Sequence, residues 1–97
     1  MKLADALWEL VSDLESALLR VGRGDLLRQV KEATLERWTY DDFSDTVYLC
    51  LTPEPLDRAQ LDTLSLYDEL GVNLETDDHG RLCGIEVLDG KRITTRL

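Results

Sequence analysis

The stretch that decides the fold is Thr46-Val47-Tyr48-Leu49-Cys50-Leu51-Thr52. Alternate positions place Val47 and Leu49 on one face of an extended chain, and Tyr48 and Cys50 on the other. β-Branched and aromatic residues at a period of two are typical of strands. Because both faces carry apolar side chains, the pattern predicts a strand that needs cover on each side.

A second predicted strand precedes this one. Residues 35–40, Leu-Glu-Arg-Trp-Thr-Tyr, combine alternation with aromatic content, and Trp38 and Tyr40 fall on the same face. Residues 41–45 between the two runs are rich in turn-forming types. The two runs are therefore predicted to pair as an antiparallel hairpin.

The sequence predicts three further strands downstream. Pro53 and Pro55 end the hairpin and open a polar connection that reaches Asp62. The predicted strands are residues 63–67, 72–76 and 81–88, separated by turns at 68–71 and 77–80. After a turn at 89–90, residues 93–97 are predicted to form an edge strand or a tail.

The N-terminal part has helical periodicity. One apolar stripe recurs at alternating steps of four and three residues and comprises Leu3, Leu7, Leu10, Leu14, Ala17 and Val21. Gly22 and Gly24 then end the helix. Asp25 is predicted to cap a second, shorter helix that ends at Lys31 or Glu32, unless the first helix continues with a kink.

These elements predict one α+β domain over residues 1–97, with a helical part at 1–32 and a sheet at 34–97. A chain of 97 residues is the length of a single domain. The N-terminal helix, or helix pair, is expected to pack on one face of a four- to five-stranded antiparallel β-meander.

Charge and composition exclude several classes of function. The formal net charge is −9, and a surface this negative repels phosphate backbones, so no nucleic-acid partner is expected. No apolar run has the length of a membrane span, so no membrane partner is expected either. Acidic residues interrupt any export signal near the start. We therefore predict a cytoplasmic protein whose two cysteines, Cys50 and Cys83, are reduced.

Two groups of residues resemble a known family when taken together. The first is Tyr40-Asp41, then Asp45, Tyr48 and Leu51; the second is the run Asp-Asp-His-Gly-Arg-Leu-Cys-Gly-Ile-Glu-Val-Leu at 77–88. Their order and spacing resemble domain-of-unknown-function family 2283, a group of small bacterial proteins, over residues 35–89. The resemblance implies a β-meander and no stated activity. Some relatives are similar to proteins encoded beside small toxins, which implies an antitoxin-like role as one possibility.

The acidic hairpin loop is the candidate site for a metal ion. Asp41, Asp42 and Asp45 lie within five residues, and hard cations prefer clustered carboxylate oxygens. The competing interpretation is that Asp41 and Asp45 accept hydrogen bonds from loop N–H groups and fix the turn. No catalytic constellation and no cofactor site is predicted, because Cys50, Cys83 and the single histidine, His79, lack the further groups that nucleophilic catalysis needs.

The aromatic residues favour an interaction surface. Trp38, Tyr40 and Tyr48 in the hairpin, with Leu7 and Leu14 in the helix, are the candidate interface residues. The leading hypothesis is a non-enzymatic protein-interaction or self-associating domain, with a second copy (a dimer) or another protein as partner. The alternatives are a metal-binding module or small enzyme that uses the acidic loop, and an antitoxin-like partner of a basic protein.

Overall fold

A five-stranded antiparallel sheet forms the centre of the computed structural model, which describes residues 1–97. Its strands are β1 (Arg37–Asp41), β2 (Thr46–Cys50), β3 (Asp62–Leu66), β4 (Val72–Thr76) and β5 (Leu82–Leu88). The predicted α+β class, the antiparallel sheet and the N-terminal helices are confirmed.

The prediction of a simple meander is wrong in its strand order, which is β1-β2-β5-β4-β3. In a meander the strand after β2 would lie directly beside β2, but here it does not. Instead the chain passes through a 3-10 turn at Arg58–Gln60 and enters the far edge of the sheet as β3. The centre is then filled by β5, most of whose residues are buried. An apolar strand gains most from this position because both of its faces are removed from water.

Three helices of the N-terminal part lie on one face of the sheet. They are α1 (Leu3–Ala6), α2 (Trp8–Arg20) and α3 (Gly24–Glu32). The predicted stripe is not one continuous helix, because Leu7 takes a non-helical backbone conformation with φ −136°. The start of the chain is instead held beside residues 33–35, where Leu3 N–H donates to Ala33 C=O and Leu35 N–H donates to Met1 C=O.

The second helix does not begin as predicted. Asp25 is not its N-cap, because α3 starts one residue earlier and its N-cap, Arg23, makes no side-chain capping bond. The carboxylate of Asp25 instead accepts hydrogen bonds from the Arg23 guanidinium. Gly22 does separate the helices as predicted, with a positive φ of 73° that favours glycine.

Two short helices complete the chain. Between β3 and β4 lies α4 (Tyr67–Leu70), and after β5 lies α5 (Lys91–Thr94). The prediction of an edge strand or tail at 93–97 is therefore wrong for its first residues. Ile93 is buried against the core, and a helical turn brings it there directly after Gly90.

The core lies between the helices and the sheet face that carries Val47, Leu49, Leu74, Ile85 and Val87, which we call the helix-side face. From the helices it receives Leu3, Leu7, Leu10, Leu14, Leu18, Leu26 and Val30. The opposite face, the second face, carries Tyr48, Cys50, Glu75, Gly84 and Glu86. No helix of the chain combines the length and the apolar character that crossing a membrane requires.

Candidate interaction surface

The strand β1 is one edge of the sheet and carries two of the predicted interface residues. Trp38 pairs with Leu49 and Tyr40 with Val47, so both aromatic side chains lie on the helix-side face. Tyr40 packs partly buried against the core. Trp38 keeps 40% of its surface exposed, so the apolar cover that the core gives the central strands is incomplete at this edge.

The backbone of β1 also presents unpaired groups outward. Leu51 N–H donates to Cys83 C=O in β5, and alternate residues of an antiparallel strand bond to opposite neighbours. The bonds from β2 to β1 therefore belong to Thr46, Tyr48 and Cys50, which lie opposite Asp41, Thr39 and Arg37. The C=O of Cys50 also accepts from the N–H of Glu36. The N–H and C=O groups of Trp38 and Tyr40 consequently point away from the sheet.

Tyr48 lies on the second face and is already engaged within the chain. The guanidinium carbon of Arg58 stands 3.9 Å from the centroid of its ring, a distance typical of a cation–π contact. The Tyr48 hydroxyl occupies the space above Gly84, where a Cβ atom would overlap it. Burial, together with the nearby carboxylate of Glu75, raises the pKa of Tyr48 well above its ordinary value. The connection between β2 and β3 thus supplies part of the cover that this face needs.

A charged network surrounds Tyr48. The Arg58 guanidinium donates to both carboxylate oxygens of Glu75, at 3.0 Å and 2.8 Å, and to Glu86 at 3.2 Å. Glu86 also accepts from the Asn73 amide at 3.0 Å. Glu75 is only 7% exposed, so Arg58 provides the counter-charge that keeps a buried carboxylate in place. The hydrogen bond to Glu75 raises the pKa of Arg58 above its ordinary value.

The hairpin loop is fixed by its carboxylates. Asp41 accepts a hydrogen bond from the N–H of Phe43 at 3.0 Å. Asp45, with a positive φ of 52°, accepts from the Tyr40 hydroxyl at 2.8 Å and from the Lys91 N–H at 3.1 Å. The turn-fixing interpretation is confirmed for Asp41, which accepts from loop N–H groups, whereas the donors to Asp45 lie outside the loop.

The proposed metal ligands do not converge. Asp42 is exposed, and no group of three His, Cys, Asp or Glu side chains lies close enough to hold a metal ion. The structure therefore gives no support to the alternative of a cation site at Asp41, Asp42 and Asp45. Backbone and phenol donors already engage Oδ1 of Asp41 and Oδ1 of Asp45.

Asp45 also ties the hairpin to the end of β5. Gly90 N–H donates to Asp45 C=O at 2.7 Å. A Cβ atom at Gly90 would lie 2.7 Å from Cγ2 and 2.9 Å from the backbone N of Val47. The close approach that allows this bond therefore requires glycine at residue 90.

Replacing Tyr40 by phenylalanine tests the tie within the hairpin. The hydrogen bond to Asp45 raises the pKa of Tyr40 to about 12. A phenol with a raised folded-state pKa stabilises the fold below its ordinary pKa, and this contribution is lost as pH rises through the folded value. We expect wild type to exceed Tyr40→Phe in free energy of unfolding at neutral pH, with a difference that shrinks between about pH 10 and about pH 12.

Urea unfolding at a series of pH values measures that difference. Tyr67→Phe is the matched control, because Tyr67 is 59% exposed and a substitution at an exposed position should change the free energy of unfolding little. A Tyr40→Phe difference that is independent of pH would contradict the role given to the hydroxyl.

Leu7 and Leu14 are placed differently from the other candidates. They are 1% and 0% exposed and belong to the core beneath the helices. Their side chains are enclosed by this chain, so the predicted interface depends on Trp38, Tyr40 and Tyr48.

The network of Arg58 and Glu75 was not predicted. One feature of the sequence could have indicated this network. Arg58 and Arg81 are the only arginine or lysine residues in 41–90, a range that contains thirteen acidic residues.

The cysteines and the histidine do not form a common site. Cys50 and Cys83 are free thiols and both are buried, and burial raises the pKa of Cys83 above its ordinary value. The side chain of His79 is 88% exposed and lies 3.6 Å from Asp78. The thiols contribute to packing, and the imidazole stands in solvent on a turn.

Comparison with known proteins gives one match, which covers the sheet. No curated protein and no solved structure matches the chain. One family model, described as "Protein of unknown function (DUF2283)", matches residues 37–90. This range begins at β1 and ends at Gly90, so it includes both the Tyr40–Asp45–Gly90 tie and the Tyr48–Gly84 contact. Because the match spans more than half of the 97 residues, the chain belongs to this family.

Proposed function

We propose that this protein is a non-enzymatic interaction domain that self-associates as a dimer through the outer edge of β1. The observation that carries the proposal is the exposed Trp38 side chain on an edge strand. Tryptophan is among the residues most enriched at the centres of protein interfaces. An unpaired strand edge also offers backbone groups on which another chain can add a strand.

The two edges of the sheet differ in what they offer. At the other edge, β3 exposes Thr63 and Ser65 and carries no aromatic residue. At β1 the exposed indole lies beside outward-pointing N–H and C=O groups. A partner at this edge would bury apolar area and satisfy backbone hydrogen bonds at the same time. Such a gain matters for a small domain, because its single core stabilises it only modestly.

Replacing Trp38 by alanine tests the proposal. The matched control is Trp8→Ala, because Trp8 is even more exposed, at 61%, but lies on α2. We expect wild type to show about twice the mass of one chain by light scattering at high micromolar concentration. Trp38→Ala should raise the dimer dissociation constant by about tenfold or more, since buried tryptophans dominate interface energies.

Trp8→Ala should leave the dissociation constant unchanged. A wild-type protein that stays monomeric throughout the micromolar range would contradict the proposal. Equal effects of the two substitutions would contradict the assignment to β1.

A further inference from the structure

We infer that two copies of β1 pair antiparallel about a two-fold axis at Thr39, which joins the two sheets into one of ten strands. This inference rests on the proposed self-association and specifies its geometry. A dimer with two-fold symmetry uses the same surface of both copies, so the strand must be complementary to its own reverse. The sequence of β1, Arg37–Asp41, is RWTYD.

The strand has that complementarity. With the axis at Thr39, Arg37 of one copy faces Asp41 of the other, and Trp38 faces Tyr40. Each of these pairs occurs twice in the dimer. Opposite charges and aromatic pairs directly across an antiparallel ladder are stabilising, whereas like charges there are destabilising. The remaining position sets Thr39 against its own copy, which is also a favourable cross-strand pair.

The backbone geometry agrees with this register. The outward-pointing N–H and C=O groups belong to Trp38 and Tyr40, as the bonding of β2 requires. In the proposed register these two residues face each other across the axis, so each can exchange two hydrogen bonds with its counterpart. Thr39 then occupies a non-hydrogen-bonded position on the axis.

Neighbouring registers are poorer. The outward backbone groups permit an axis at Trp38 or at Tyr40 as well. An axis at Trp38 sets Arg37 against Thr39 and extends the pairing to Leu35, whose N–H already donates to Met1 C=O. An axis at Tyr40 sets Thr39 against Asp41 and leaves Arg37 opposite the hairpin loop. Only the axis at Thr39 pairs all five residues of β1 with one another.

The side chains that would form the charged pairs retain free atoms. Arg37 uses its two terminal nitrogens in bonds of 3.3–3.4 Å to carbonyls at residues 52–54, and its Nε has no partner within the chain. Asp41 uses only Oδ1 in the loop. The pairing also has a natural limit, because the next residues outward, Glu36 and Asp42, would face each other as like charges.

A cysteine on the proposed axis tests the register. Non-hydrogen-bonded pairs have Cα atoms about 4.5 Å apart, which lies within the range that a disulfide spans. We expect Thr39→Cys to form a disulfide-linked dimer rapidly and almost completely under mild oxidation, measured on a non-reducing gel. Wild type should not become linked, because Cys50 and Cys83 are buried.

Thr63→Cys is the matched control, since Thr63 is an exposed threonine on the opposite edge strand. We expect it to become linked slowly and only through collisions. Light scattering on the wild type shows whether the protein self-associates, so failure of the register can be distinguished from failure of self-association. A dimeric wild type with no faster linking of Thr39→Cys than of Thr63→Cys would overturn the register while self-association stands. A monomeric wild type would overturn both proposals.

A charge substitution supplies a second readout. We expect Arg37→Gln to weaken the dimer by several-fold, because two opposite-charge pairs are lost. The match between Arg37 and Asp41 also predicts that added salt narrows the difference in dissociation constant between wild type and Arg37→Gln, because salt screens the ion pairs that only the wild type has. An equal dependence on salt in both proteins would count against the pairing of these residues.

Discussion

Replacing Gly84 by alanine is expected to destabilise the protein by about 3 kcal/mol, near the upper end of what overpacking causes. Gly84 lies in β5 opposite Cys50 of β2. A Cβ atom there would overlap the hydroxyl oxygen and the adjacent ring carbon of Tyr48. The tyrosine would have to leave its place beneath Arg58, so the contact between its ring and the guanidinium would be lost.

Chemical denaturation of Gly84→Ala and Gly24→Ala gives the comparison. Nothing lies within 4 Å of a Cβ atom at Gly24, which is the first residue of α3. Alanine there should leave stability unchanged or raise it by up to about 1 kcal/mol. The contrast between the two glycines therefore isolates the contact from the general effect of a glycine-to-alanine change.

A double variant tests whether Tyr48 is the cause. If the overlap with Tyr48 explains the loss, Tyr48→Ala combined with Gly84→Ala should be less destabilised than the sum of the two single variants. Strict additivity, or a loss below about 1 kcal/mol for Gly84→Ala, would show that the tyrosine accommodates the new methyl group freely.

The same contact shows what the sequence could and could not predict. The strands were predictable because alternation is local: 46–52 and 81–88 carry the pattern within themselves. Their pairing was not, since β2 and β5 are separated by more than thirty residues and by two other strands. A glycine in one strand and a tyrosine in another acquire a relation only when a register brings them together.

For the candidate interface residues, too, the sequence could predict one property and not another. The periodicity of Leu7 and Leu14 indicated an apolar helix face, and that face is buried as expected of an amphipathic helix. Whether a buried face meets the chain's own sheet or another subunit depends on tertiary packing, so the pattern alone could not separate them. Trp38 differs because its strand lies at an edge, and that edge follows from the strand order rather than from the residue itself.

Of the two interpretations of the acidic loop, the structure supports hydrogen bonding within the loop for Asp41. Closely spaced aspartates are compatible both with a cation and with turn-fixing hydrogen bonds. The deciding atoms were the N–H donors at Phe43 and Lys91 and the hydroxyl of Tyr40. Lys91 follows β5 and is separated from Asp45 by 46 positions in the sequence, so no local pattern indicates this hydrogen bond.

Replacing Arg58 by alanine is the second change for which we expect a large effect, a loss of about 3 kcal/mol in the free energy of unfolding. Arg58 binds Glu75 with two hydrogen bonds and Glu86 with one. Without the guanidinium, the almost fully buried Glu75 carboxylate loses its main partner and lies near a second carboxylate, that of Glu86. An uncompensated buried charge is far more costly than a missing surface pair.

Arg20→Ala is the matched control. Arg20 also pairs with a glutamate, Glu69, but the two side chains are 59% and 37% exposed. Exposed ion pairs contribute about 0–1 kcal/mol, so this variant should stay within that range. Both pairs join an arginine to a glutamate, so the difference between the two variants reports the burial of Glu75 together with the additional hydrogen bonds that Arg58 makes.

The decisive measurement adds a second substitution to the first. In the Arg58→Ala background, Glu75→Gln removes the charge that has lost its partner, so we expect this change to raise the free energy of unfolding. In the wild-type background the same Glu75→Gln substitution should lower it, because it breaks a bidentate pair. This reversal of sign follows only if Arg58 neutralises Glu75 on the second face, and a Glu75→Gln change that destabilises both backgrounds would rule that account out.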